Sequence, residues 1–169
     1  MAAGYSAQRY DAAAQALSVG EVESAPGSGW FNAAVSNFQE QVIEQFRANQ
    51  GNVDGPFEGQ PLLLLITTGA RSGAERVNPL MYTKDGDDLV VLASKGGAPD
   101  NPAWYHNVVA NPQATVELGT EKFPVTARVA RGEERDRLYR AQAAVYPQFA
   151  GYQEKTSRQI PVVVLHQES

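Results

Sequence analysis

Apolar residues in the middle of this chain come in short unbroken runs, whereas those nearer the two ends recur at helical spacing. Residues 62–68 read Leu-Leu-Leu-Leu-Ile-Thr-Thr, too short for an ordinary helix and ending in β-branched side chains, which predicts a buried strand. Residues 77–83 and 89–94 predict two more strands, joined by the Asp-Gly turn of Lys84-Asp-Gly-Asp-Asp88, and the three are expected to form a meander. Asn78-Pro79 removes a ladder donor from the second strand, so an edge or a bulge is expected there, and a bulge would re-aim Leu80 and Met81 toward a pocket. Further strands are expected at 114–118, 123–130 and 160–165.

The helical patterns lie outside that block. Val35, Phe38, Val42, Ile43 and Phe46 share one face of a helix that Asn32 is placed to cap and Asn49-Gln-Gly51 to end. The face suits packing on a sheet, or contact with a ligand mouth or a membrane surface. Asn101 as cap and Pro102 as first residue open a short helix through Ala110, stopped by Asn111-Pro112. Residues 132–145 form another, with Glu133 and Glu134 at its positive end and Leu138, Ala141 and Val145 as the expected buried stripe. Tyr146, Phe149 and Tyr152 follow at intervals of three, as packing under a loop or as a pocket wall. Residues 1–17 read as a short helix or an arm, 20–29 as a linker, and 51–59, with Gly55-Pro56, as a loop. The expected organisation is an N-terminal arm and helix over 1–58 and one barrel domain over 59–169. Six short strands without βαβ alternation point to a mostly β fold with flanking helices, a small and mostly antiparallel barrel.

Composition then narrows the chemistry. The chain has 169 residues, no cysteine, two histidines and a net charge of −5. Disulfides, thiolate catalysis and cysteine-bound zinc are excluded, and His106 and His166 have no carboxylate at metal-pair spacing, so no metal site is expected. The acidic balance argues against nucleic acid as a partner. No apolar stretch approaches the roughly 20 residues of a membrane span, and the N-terminus lacks the look of a signal peptide. The expectation is a cytoplasmic protein, at most peripheral to a membrane through the helix that starts near Asn32.

Against that acidic background, Gly69-Ala-Arg-Ser-Gly-Ala-Glu-Arg76 stands out. Gly69 and Gly73 permit positive φ, which lets backbone N–H groups turn toward one anion, and Arg71 and Arg76 supply forked donors with the Ser72 hydroxyl beside them. The other reading is a plain hairpin whose arginines face water. No Walker A motif and no Gly-x-Gly-x-x-Gly is present, so neither a P-loop nor a Rossmann site is expected. Lys95-Gly-Gly-Ala-Pro-Asp-Asn101 forms a second corner where backbone can approach a ligand. Trp104 reads either as a core anchor or as part of a pocket, and His106 as a surface residue rather than a base.

The ordered motifs support a family statement. Thr67-Thr-Gly-Ala-Arg-Ser-Gly-x-x-Arg76, Asn78-Pro-Leu-Met81, Ala93-Ser-Lys-Gly-Gly-Ala-Pro-x-Asn-Pro-Ala-Trp-Tyr-His-Asn107, Asn111-Pro112 and Tyr146-Pro-x-Phe-Ala-x-Tyr-Gln-x-Lys-Thr-x-Arg-Gln-Ile-Pro161 closely resemble the deazaflavin-dependent nitroreductases of actinobacteria. The match runs over residues 59–165. It implies a split β-barrel of the kind also used with FMN, with about six antiparallel strands. It also implies the 8-hydroxy-5-deazaflavin cofactor, coenzyme F-420, and reduction of quinones, nitroaromatics or similar acceptors.

That cofactor carries a phosphodiester, a lactyl carboxylate and a polyglutamate tail, which call for an anion cradle. Gly69, Ala70, Arg71, Ser72 and Arg76 match the cradle. Val77, Asn78, Pro79, Leu80, Met81, Leu92, Ala93, Ser94, Lys95, Ala103, Trp104, Tyr105, His106 and Asn107 match the family's remaining cofactor-binding positions. Tyr152 matches a family tyrosine and, with Ser94, is the expected hydroxyl at the reacting ring. Phe149 stands where relatives often carry a tyrosine. An FMN-dependent oxidoreductase of the same barrel and a non-catalytic deazaflavin carrier or sensor are the two alternatives.

Overall fold

The computed structural model describes residues 29–54 and 58–168, with side chains from residue 38 onward in the first helix. The expected arm over 1–17, the expected linker over 20–29 except for Gly29, which begins the first helix, and the Gly55-Pro56 turn lie outside the described residues.

The elements in chain order are helix α1 (Gly29–Ala48), strands β1 (Leu62–Thr68), β2 (Glu75–Met81), β3 (Thr83–Asp85) and β4 (Asp88–Leu92), helix α2 (Ala103–Ala110), strands β5 (Gln113–Leu118) and β6 (Glu121–Ala130), helices α3 (Gly132–Val145) and α4 (Gln148–Glu154), and strand β7 (Val162–Gln167). The strands make one seven-stranded sheet in the order β2-β1-β5-β6-β7-β4-β3, and every neighbouring pair is antiparallel.

β2 and β3 are the two edges of that sheet, yet only Tyr82 separates them in sequence. The sheet therefore curls until its edges meet at Tyr82, which gives the expected split barrel. One expected strand, 77–83, is thus two: its first part pairs with β1 and its last residue begins β3, which pairs with β4. The meander is present with its middle strand divided, and the strand count rises from six to seven. Pro79 lies on an edge, as its missing donor requires, but the register from Leu62↔Met81 to Thr68↔Glu75 is unbroken, so no bulge re-aims Leu80 and Met81.

The unbroken run in β1 arises because both of its faces are covered. Leu63 and Leu65 point into the barrel with Val91, Val116, Val163 and Trp104. Leu62 and Leu64 point outward against Val42 and Phe46 of α1 and Val53. Each fully buried leucine of this kind contributes about 1.5–3 kcal/mol. β4 and β7 repeat the arrangement: Val91, Val163 and Leu165 face inward, while Val90, Leu92, Val162 and Val164 pack under α3 and α4 with Leu138, Tyr139, Phe149 and Tyr152. A bidentate ion pair from Arg47 to Glu117 (2.6 Å at its shortest) ties the end of α1 to β5.

Three local expectations are corrected. α1 begins at Gly29, so Asn32 lies inside the helix rather than capping it. The buried stripe of α3 is Arg135, Leu138, Tyr139 and Gln142, whereas Ala141 and Val145 are exposed. The polar members misled the pattern because each meets an internal partner: Arg135 donates to the Ile160 carbonyl and Gln142 Oε1 accepts from Thr83, although Gln142 Nε2 is buried with no hydrogen-bond partner. Two of the three aromatics after α3 sit on a further helix, α4, where Phe149 and Tyr152 stack edge-on at 5.5 Å, while Tyr146 caps the end of α3. The single turn of apolar spacing in α4 was too short to announce a helix.

Candidate active site

Two chain corners face each other across one open cleft of about 950 Å3. The first is the loop between β1 and β2, closed by hydrogen bonds from Gly69 N–H to the Ala74 carbonyl (2.7 Å) and from Gly73 N–H to the Gly69 carbonyl (2.9 Å). Gly73 has φ +70°, as expected, but Gly69 is not in the left-handed region. The need for glycine at 69 is spatial: a Cβ there would lie 2.6 Å from Ser72 Oγ. That hydroxyl oxygen accepts the Ala74 N–H at 3.2 Å and so shapes the loop from within.

The second corner follows β4. Lys95, Gly96 and Gly97 have φ of +47°, +63° and +84°, a left-handed turn entered from Ser94 in the right-handed region. A lysine in that conformation is strained by roughly 1–2 kcal/mol. Gly97 has a second reason to lack a side chain, since a Cβ would meet the Tyr152 carbonyl at 2.8 Å. Asn101 does not cap the following helix. Pro102 occupies that position in extended conformation, and Asn101 instead accepts from Arg158 at 2.7 Å.

Asn107 fastens one corner to the other. Its Oδ1 accepts the Ala70 N–H at 2.9 Å, and its Nδ2 donates to the Thr67 hydroxyl at 3.1 Å, with the residue buried. The cleft so framed is lined by Arg71, Arg76 and Lys95, with His106 at its side and Asp100 as the one carboxylate among its lining residues. Lys95 Nζ pairs with Asp100 at 2.9 Å. That hydrogen bond holds the Asp100 carboxyl below the ordinary range of an aspartate.

A model of the F420H(2)-dependent quinone reductase family matches residues 38–167 of the 169. The chain belongs to that family. It is 40% identical over 124 residues to an F420H(2)-dependent quinone reductase of Mycobacterium tuberculosis, covering 71% of this chain and 83% of the relative. Among solved structures it is similar to an F420-H2 dependent reductase (44% identity, TM-score 0.59, 63% of this chain and 94% of that one). It is also similar to a chain described as a domain-swapped dimer (34% identity, TM-score 0.61, 84% of this chain and 100% of that one). As a member of the quinone reductase family the protein is an oxidoreductase whose cofactor is coenzyme F-420.

The quinone reductase fold distributes the expected site residues over two environments. Gly69, Ala70, Arg71, Ser72, Arg76, Lys95, Ala103, His106 and Asn107 line the cleft. The others do not line it. Ala93 and Trp104 are buried in the barrel core, with Leu80 and Tyr105 packed against it. Leu92 and Tyr152 are buried under α3 and α4. Val77 and Met81 pack against the cluster beneath α1. Asn78, Pro79 and Ser94 are buried.

Asp100 and Asn101 line the cleft, and Arg158 hydrogen-bonds its second corner, although none of the three was expected there. Asp100 and Asn101 were hidden by their reading as turn and cap. Arg158 lies between α4 and β7, where no periodicity marks a side chain that reaches back across more than fifty residues of sequence to the second corner. Among the described residues no group of three histidines or carboxylates is placed to hold a metal.

Proposed function

We propose that the protein reduces a quinone with coenzyme F-420 held in the cleft between the two corners, its anionic groups on Arg71, Arg76 and Lys95. The observation that supports this most is the convergence of three cations from two distant segments on one cleft of about 950 Å3, within an otherwise acidic chain. A volume of this size suits a cofactor, and guanidinium forks suit phosphodiester and carboxylate oxygens. The residues present therefore fit the group. When bound and reduced, F-420 supplies the hydride that, with a proton, converts a quinone to a hydroquinone.

The chain's own contribution is placement. Arg71 and Arg76 neutralise and orient the anionic side, Ser72 adds a hydroxyl, and Asn107 holds the loop that carries them in register with α2. Close-packed aromatics in the α4 region, Tyr146, Phe149 and Tyr152, are proposed to border the acceptor and keep water from it. Tyr82 and Tyr146 are both pushed upward in pKa by burial, so they remain neutral donors at any physiological pH. A proton role for Tyr152 or Ser94 stays within the proposal. Tyr152→Phe should slow turnover at saturating cofactor without changing cofactor affinity, and equal rates would assign the proton to water. Nitroaromatics, as electron-poor planar rings, belong to the same acceptor class and the same assay.

No described helix is long and apolar enough to cross a membrane. The apolar face of α1 is turned to the barrel through Val42 and Phe46, with Phe38 and Ile43 packed beside them. A membrane role for α1 would need that packing to open, and flotation with quinone-loaded liposomes tests it: protein left in the soluble fraction removes the role.

The deciding experiment is fluorescence titration with oxidised F-420 and, in parallel, FMN, followed by quinone-dependent oxidation of the reduced deazaflavin. Micromolar or tighter binding of the deazaflavin alone, with turnover, is expected. Preference for FMN would overturn the proposal.

A further inference from the structure

Arg158 sits in the connection between α4 and β7, and its guanidinium is spent entirely on the second corner. Nε donates to the Ala98 carbonyl (2.8 Å), Nη2 to the Ser94 carbonyl (2.8 Å), and Nη1 to the Ala93 carbonyl (3.3 Å) and Asn101 Oδ1 (2.7 Å). Ser94 and Ala98 are the two ends of the left-handed turn that carries Lys95. The turn's own bonds are two, Gly97 N–H to the Ser94 carbonyl (2.9 Å) and Ala98 N–H to the Lys95 carbonyl (3.1 Å). Two such bonds between neutral groups barely offset the strain at Lys95. Four charge-assisted contacts from one rigid fork tip the balance.

The clamp is itself anchored. Gln153 Nε2 donates to the Arg158 carbonyl (2.7 Å), and Gln153 Oε1 accepts from Arg135 Nη2 (2.8 Å) and from Ile160 N–H (3.0 Å). Arg135 also donates to the Ile160 carbonyl at 2.8 Å. A buried arginine on α3 thus fixes the backbone on which Arg158 stands. Burial lowers the pKa of Arg158 from its ordinary value, yet a guanidinium remains charged throughout the physiological range.

We propose that Arg158 is a positioning residue: it locks the Ser94–Ala98 turn in its left-handed form and thereby presents Lys95 to the anionic part of the cofactor. The inference rests on the cofactor assignment above for its functional consequence, but the lock itself is a property of the free protein. Arg158 acts through Lys95 and makes no contact with the cofactor.

The test uses Arg158→Met and Arg158→Lys in the full chain, the lysine variant keeping the charge while losing the fork. In the absence of cofactor, amide hydrogen exchange at Gly97 and Ala98 should rise at least about tenfold in both variants, as expected when hydrogen bonds to a charged group are lost, with β1 amides unchanged. With cofactor, KM for the reduced deazaflavin should rise by about tenfold while kcat at saturation stays within about twofold. Arg158→Met added to Lys95→Ala should cost cofactor affinity nothing further, because Arg158 acts only through Lys95.

Unchanged exchange at Gly97 and Ala98 in the lysine variant would overturn the lock. A further loss of affinity when Arg158→Met is added to Lys95→Ala would make Arg158 a direct ligand and also overturn it. A parent protein that binds no deazaflavin would remove the proposed function and leave the lock to be decided by exchange alone.

Discussion

Asn107 on α2 receives the backbone N–H of Ala70 at 2.9 Å, so that the helix after the second corner holds the loop of the first. The bond spans 37 residues of sequence and is accompanied by the Asn107–Thr67 contact at 3.1 Å. Asn107→Ala leaves both partners without that side chain and should cost about 1–3 kcal/mol of stability. Denaturant unfolding checks the cost. Cofactor affinity should fall with it, since Arg71 then stands on an unanchored loop.

Arg71→Ala combined with Arg76→Ala should weaken cofactor binding and flatten its dependence on ionic strength, while leaving the melting temperature within a degree or two, on the order expected for exposed positions. Titration at low and high salt separates this from a folding defect. Unchanged affinity would remove the cradle.

Asp100 opposes the cradle's charge. Asp100→Asn releases Lys95 from its carboxylate partner and should raise affinity for the polyanionic cofactor by about two- to fivefold at low salt. Because Lys95 lowers the Asp100 pKa, the pair contributes above the ordinary aspartate value of 3.8 and is lost as pH falls below it. Affinity of the parent protein should therefore be independent of this group from pH 5 upward, and a titration between pH 5 and 8 tests that.

The glycines of the two corners should differ in their response to alanine. Gly97→Ala meets both a positive φ of 84° and the Tyr152 carbonyl at 2.8 Å, backbone that cannot swing away. Gly73→Ala meets a positive φ of 70° in open space. The first should cost more than about 2 kcal/mol and the second about 1 kcal/mol. Gly69→Ala has no positive φ but meets the movable Ser72 hydroxyl at 2.6 Å and the Ala74 carbonyl at 3.2 Å. Its cost should stay below that of Gly97→Ala by thermal unfolding, and a larger loss than for Gly97→Ala would contradict this geometry.

Tyr139 donates to the Phe149 carbonyl, and burial pushes its phenol up to about 12 from 10.0. The neutral form is the one the fold prefers, so its contribution is complete below pH 10 and lost as pH rises through about 12. Tyr139→Phe should cost roughly 1 kcal/mol at neutral pH and shrink the alkaline loss of stability, which unfolding between pH 9 and 11 would show.

Much of this was legible in residue order. The run Leu62-Leu-Leu-Leu-Ile66 announces a strand covered on both faces, the Asp-Gly at 85–86 a hairpin, and Pro79 an edge strand. The ordered motifs from Thr67 to Pro161 announce the family and its cofactor. These signals are local: each depends on a residue's own conformational limits or on its period along one element. Tertiary structure alone decided the rest. It divided the second strand at Tyr82 because closing a curled sheet makes one strand serve two edges. It buried Arg135 and Gln142, whose polarity pointed outward until the Ile160 carbonyl and Thr83 were beside them. It buried Trp104 in the barrel core and Tyr152 in the cluster of α3 and α4, set Asp100 in the cleft lining, and tied Arg158 to the turn that carries Lys95. A sequence reveals what each residue prefers, but which oxygen a guanidinium will meet is settled only when segments far apart in the chain fold against each other.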